Sequence, residues 1–226
     1  MKKNYWIVLF LIVLLTDLVA VYNSNETLRY ITKPLLMPLL IICFLSETSS
    51  FISGFKKWIV LALLFSWIGD VLLMFESMNG NFFIFGLLAF LIAHIFYIVL
   101  FDQIRVKAKI RQSLLPLLPI AIYYIFLISL LQPRLGEMKK PVSIYGLIIC
   151  IMLSFAIDLW RIKDRRVSLY VILGALFFII SDSILAINKF YKSFEFAVIA
   201  IMLTYGIAQL LITVGTAGYI GSASKQ

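Results

Sequence analysis

The stretch WIVLALLFSWIGDVLLMF, Trp58–Phe75, decides the fold. Its apolar residues run on without the strict alternation that a strand of an outer-membrane barrel requires. About 20 helical residues cross a ~30 Å hydrocarbon layer, and backbone amides in lipid must be bonded within their own segment. The stretch therefore reads as a membrane-spanning α-helix. Its single charge, Asp70, is out of place there: an ionisable group in a span costs roughly 2.5–3.5 kcal/mol on insertion scales, so it faces protein or water and marks function.

Outward along the chain the same pattern recurs. SLYVILGALFFIISDSILAI, Ser168–Ile187, is a second such stretch with a second acid within it, Asp182. The others are Tyr5–Tyr22, Ile31–Ser46, Phe82–Phe101, Leu114–Leu131, Val142–Trp160 and Phe194–Gly215. Hydrophobic residues fill 63% of 226 positions against 14% charged, far from the near-even apolar share and quarter charged of soluble domains. The reading is an all-α membrane protein, one eight-span domain over residues 1–226. Lys2 and Lys3 precede an apolar run as in a signal peptide, but no small-residue cleavage site follows, so the first span is kept as structure.

The net charge of +9 reflects orientation rather than nucleic acid. With the N-terminus in the cytoplasm, Lys2, Lys3, Lys56, Lys57, Arg105, Lys107, Lys109, Arg111, Arg161, Lys163, Arg165, Arg166 and Lys225 lie inside, 13 basic residues against 7 outside. That excess predicts both termini on the cytoplasmic side of a bacterial cell membrane. Cys43 and Cys150 fall within apolar spans, where small packing residues are expected rather than disulfides or a metal pair.

Order and spacing suggest an internal repeat. Lys33-Pro34 with Leu40-Ile41-Ile42-Cys43 matches Lys140-Pro141 with Leu147-Ile148-Ile149-Cys150 at an offset of 107; Gly69-Asp70 matches Ser181-Asp182, and Ile92-Ala93-His94 matches Ile207-Ala208-Gln209. Elements four spans apart cross in the same direction, so spans 1–4 and 5–8 form a parallel repeat with a site at its interface. Asp70 and Asp182 then face each other at similar depth in the outer half. His94, the one histidine, lies about 18 Å in from the outer end of its span, some two turns below them.

Other polar residues join this constellation. Tyr97 shares a face with His94, and Tyr205, Gln209 and Thr213 form a stripe on span eight. Lys33 begins span two on the outer side. The plain alternatives are interhelical hydrogen bonds for the stripe and an ion pair between Lys33 and an aspartate. Tyr123, Tyr124 and Tyr145 line a cavity or only pack. A lone histidine cannot build a three-imidazole zinc site, and no metal or other cofactor is expected. GxSxG, HExxH, P-loop and dinucleotide motifs are absent, removing the chemistries they carry.

Thr32-Lys33-Pro34-Leu35, Gly69-Asp70 with Leu72-Leu73, Gly86 with Phe90, Ala93, His94 and Tyr97, Pro141-Val142 with Tyr145, Met152 and Ala156, Gly174-Ala175 with Ser181-Asp182, Leu185, Ala186 and Phe190, and Tyr205 with Ala208-Gln209 resemble the YhhN-type lysoplasmalogenase family over spans two to eight. The resemblance implies an eight-span hydrolase that cleaves the vinyl ether of lysoplasmalogens, a lysophospholipid class, to a fatty aldehyde and glycerophosphoethanolamine or glycerophosphocholine. Its intramembrane aspartates correspond to Asp70 and Asp182, and nothing carries over to Asp17 or Asp102. Vinyl-ether cleavage needs a proton donor and a group that stabilises the cation and orients water. Two neighbouring carboxyls in a low-dielectric site cannot easily both ionise and would share one proton. Lys33, His94, Tyr97, Tyr124, Ser181, Asn188, Tyr205 and Gln209 are the supporting or substrate-positioning candidates, Lys33 for a phosphate. A transporter of a small solute or lipid, a structural protein, or a hydrolase of another lipid bond would use the same acids.

Overall fold

Asn25 opens the second helix by accepting a hydrogen bond from the Leu28 amide at 3.0 Å, which satisfies one orphan donor of the first turn. In the computed structural model, which describes residues 4–223, the helix therefore begins at Glu26 rather than Ile31 and carries Arg29, Tyr30 and Lys33 on regular turns. The helices are α1 (Asn4–Tyr22), α2 (Glu26–Glu47), α3 (Phe55–Met74), α4 (Asn81–Lys107), α5 (Leu117–Leu131), α6 (Lys139–Asp158), α7 (Arg165–Ala186) and α8 (Ala197–Ala223). Among the described residues, eight segments are long and apolar enough to cross a membrane, as the sequence predicts. Lys2, Lys3 and Lys225, which entered the orientation argument, lie outside the described residues.

Two irregularities shape the side opposite the Asn4 and Ala223 ends. Short 3₁₀ turns at Gln132–Arg134 and Gly136–Met138 link α5 to α6, and Gly136 takes φ +51° there, a conformation that only glycine adopts cheaply. α7 runs on as a π-helical turn, Ile187–Tyr191, a feature frequent at functional sites.

Consecutive helices pack from α1 to α4; then the chain skips. α4 lies against α6, α6 against α7 and α7 against α8, while α8 also meets α1, α2 and α3. α5 packs chiefly on α6 and presents Leu118, Ile122, Ile125 and Phe126 outward. The core is formed by Phe10, Leu40, Phe44, Leu63, Phe101, Phe178 and Ile212, among others. In lipid, helices associate by close packing and polar contacts, and both are visible. A Cβ on Gly69 would stand 2.6 Å from the Phe90 ring, and one on Gly174 would stand 2.9 Å from the Ala208 carbonyl oxygen, so α3–α4 and α7–α8 approach nearly to backbone contact. Pro38 has no amide to offer the Pro34 carbonyl one turn earlier; the Trp67 indole of α3 donates to that oxygen at 2.9 Å instead. Cys43 and Cys150 are free and buried.

Candidate active site

Asp70 and Asp182 each lie four residues before the end of their α-helix, at the side opposite the termini. Phe90 lies over the backbone of Gly69, beside Asp70, and helps wall a cleft that both aspartates line. The cleft contains about 1000 Å³ of empty space, including its mouth. Lys33, Ser181, Asn188 and Tyr205 line it as well, and Arg29, Glu76 and Lys189 stand with them. Arg29, Lys33, Glu76 and Lys189 also edge a neighbouring polar hollow that reaches Glu26, Tyr30 and Ser77.

The acids have different surroundings. Asp70 accepts a 2.7 Å hydrogen bond from the Tyr205 hydroxyl, and its other oxygen lies 4.0 Å from the Lys33 ammonium. The ion pair with Lys33 foreseen as the plain alternative thus exists, with both side chains buried. Asp182 accepts a 2.5 Å hydrogen bond from the Tyr145 hydroxyl, and the same oxygen lies 3.9 Å from His94 Nε2. Its side chain is 14% exposed against 3% for Asp70, so Asp182 is the more reachable carboxyl.

Each aspartate draws one partner from the helix before it, Lys33 on α2 or Tyr145 on α6, and one from the distant half, Tyr205 on α8 or His94 on α4. Phe178 stands between the two groups, its ring 5.5 Å from Tyr205 and 4.6 Å from His94. The described residues show no hydrogen bond joining the two carboxyls; each is held by its own tyrosine.

His94 is wholly buried and level with Asp182 rather than two turns below it. α7 runs on beyond Ile187 to Tyr191, so Asp182 lies deeper than a helix ending at Ile187 would place it. Tyr97 and Gln209 do not line the cleft. The Tyr97 hydroxyl donates to Gln209 Oε1 at 2.5 Å, and Gln209 Nε2 donates to Ser66 at 3.0 Å, tying α4, α8 and α3 together. Ser181 donates to the Ile201 carbonyl at 3.1 Å, and Asn188 accepts from the Phe194 amide at 3.2 Å, closing the α7–α8 turn. Tyr124 lines a separate apolar pocket and donates to the Ser143 carbonyl at 3.1 Å.

Sequence reasoning left several neighbours unassigned. Tyr145 was one of three tyrosines that could line a cavity or only pack. Nothing in the sequence singles out Arg29, Glu76 or Lys189, yet Lys189 pairs with Glu76 at the mouth. Asp17 is fully buried and accepts from Thr32 at 2.7 Å. Only the Thr32-Lys33 dipeptide, which places Thr32 beside a site lysine, hinted at it. Among the described residues no three His, Cys, Asp or Glu side chains converge as metal ligands.

Several known proteins are similar to this chain in sequence. A lysoplasmalogenase of Mycobacterium bovis is 31% identical over 163 residues, 71% of this chain and 60% of that protein. Lysoplasmalogenase TMEM86B of Rattus norvegicus is 33% identical over 163 residues, 71% and 62% of the two chains. Lysoplasmalogenase TMEM86A of Homo sapiens is 30% identical over 156 residues, 68% and 62%. The chain spans about 60% of the length of these curated relatives. No solved structure matches it. Residues 28–216, which take in both aspartates, all their partners, α3 to α7 whole and most of α2 and α8, match the YhhN family, and this multi-pass membrane protein belongs to that family.

Proposed function

We propose that the protein is an integral-membrane hydrolase that cleaves the vinyl ether of lysoplasmalogens, releasing a fatty aldehyde and glycerophosphoethanolamine or glycerophosphocholine. The observation that carries this reading is the pair of aspartates on one cleft, each hydrogen-bonded to a tyrosine, below a mouth bearing Arg29, Lys33 and Lys189. The names of the relatives support the substrate class. The site opens on the side opposite the termini, which the charge count assigns to the outside.

The chemistry follows from the two environments. Asp182, the more exposed acid, delivers a proton to the alkenyl carbon distal to the ether oxygen, leaving an oxocarbenium ion at the carbon bonded to oxygen. Asp70, held by Tyr205 and Lys33, supplies the carboxylate that stabilises this cation and takes a proton from the water that captures it. The resulting hemiacetal collapses: Asp182, now a carboxylate, takes the hydroxyl proton, protonated Asp70 gives its proton to the glycerol oxygen as the bond from that carbon to it breaks, and the aldehyde leaves with both acids back in their starting states. One water is consumed, and the division of roles is that of other carboxylate pairs.

Purified Asp70→Asn and Asp182→Asn, given a lyso-alkenyl phospholipid, should each lose aldehyde release by about 100-fold or more, the scale of general acid–base contributions. Wild-type rates in either folded variant would refute the pair. Wild-type protein that moves the lipid across liposomes without forming aldehyde would establish the transport reading instead.

A further inference from the structure

We propose that the apolar pocket between α5, α6 and α7 is the binding site for a single aliphatic chain, entered sideways from the bilayer. The pocket is a narrow slot, and the empty space of about 410 Å³ around it includes the open space beyond its mouth. Tyr124, Leu127 and Ile128 of α5, Gly146 and Ile149 of α6, and Ile179 of α7 wall it, and its accessible lining is almost wholly apolar. It lies where α5 packs chiefly on α6, with the Tyr123 and Ser183 hydroxyls hydrogen-bonded across from α5 to α7.

One of its walls says what it holds. Asp182 lines this pocket and also the polar cleft, and Tyr145, which donates to it, lines the pocket too. The Asp182–Tyr145 pair is thus the partition between a polar compartment with three basic residues at its mouth and an apolar one open toward lipid. An amphiphile with one chain and a phosphate fits both at once, its chain beside α5 and its phosphate near Arg29, Lys33 and Lys189, with the junction of head and chain at Asp182. Gly146 keeps the slot open: a Cβ there would meet the Tyr124 ring at 3.3 Å and Ile128 at 3.8 Å. This assignment rests on the proposed function for the identity of the lipid, but binding does not require turnover.

The test uses an uncleavable analogue, a saturated alkyl-ether lysophospholipid with a diazirine at the end of its chain, in nanodiscs holding the full chain. Light-induced labelling should fall on peptides covering Tyr123–Leu131 and Val142–Cys150 and be displaced by unlabelled analogue. Labelling confined to α1, α2 or α8, or not displaceable, would overturn the assignment. Gly146→Leu and Ile128→Trp should raise the Kd of a sixteen-carbon analogue about tenfold, a 1.4 kcal/mol loss, and leave a six-carbon analogue within about twofold. Equal effects on both chains, or none, would count against the pocket. Aldehyde release with labelling elsewhere would sink this inference alone, whereas correct labelling without aldehyde release would sink only the proposed function.

Discussion

Lys33 shows what a single residue costs and does in this bundle. Its ammonium and the Asp70 carboxylate are both buried, 4.0 Å apart, and removing one partner of such a pair leaves an uncompensated charge, costing about 3–5 kcal/mol. Lys33→Met should therefore lower the thermal unfolding midpoint sharply, and the Lys33→Met/Asp70→Asn double variant should recover part of the loss, as interacting residues do. Additive losses would mean that the pair is not coupled. Tyr145 makes a different case. Tyr145→Phe removes the 2.5 Å hydrogen bond to Asp182 yet keeps the ring edge-on to His94; it should keep the unfolding midpoint within a few degrees while aldehyde release falls about tenfold. Unchanged turnover would make Tyr145 a packing residue only. The sequence singled out Asp70, Asp182 and Lys33 because charge in a span is expensive. It could not rank Tyr145 above Tyr123 or Tyr124, since a tyrosine is cheap anywhere near a membrane and its value depends on what its hydroxyl meets.

At the scale of elements, the close pairs α3–α4 and α7–α8 hold the aspartates. Gly174 faces the Ala208 carbonyl and Ile212, so Gly174→Leu must separate α7 from α8. Overpacking of this kind costs about 1–3 kcal/mol, and here the neighbour is backbone that cannot rotate away. The variant should lose stability measurably and weaken activity through Asp182; an unchanged unfolding midpoint would show that the helices slide freely. The helices themselves were legible, since each apolar run maps onto one helix. Their ends were not: Asn25 capping lengthens α2, and the π turn lengthens α7, because capping and register depend on local hydrogen bonds rather than hydropathy. The partners of the aspartates follow one pattern, α2 and α8 for Asp70, α6 and α4 for Asp182. A parallel repeat would produce that pattern, and we propose the repeat on this ground; an experimental structure in which the two halves superpose only after inversion would refute it.

Over the whole molecule, the side on which the cleft opens decides which leaflet supplies substrate. Ser77 edges the polar hollow at the mouth, while both native cysteines are buried. In intact cells, Ser77→Cys should react with a membrane-impermeant maleimide if both termini are cytoplasmic; labelling only after the membrane is broken would reverse the orientation. By itself the sequence determined that this chain spans a membrane eight times as helices and that two of those helices carry acids, because hydrophobic length and the cost of intramembrane charge are local properties. Only the tertiary structure decided that the chain skips from α4 to α6, leaving α5 beside an apolar pocket, and that each aspartate has its own tyrosine rather than the other carboxyl. Those choices depend on which side chains meet across helices far apart in sequence, where no spacing along the chain records the distance.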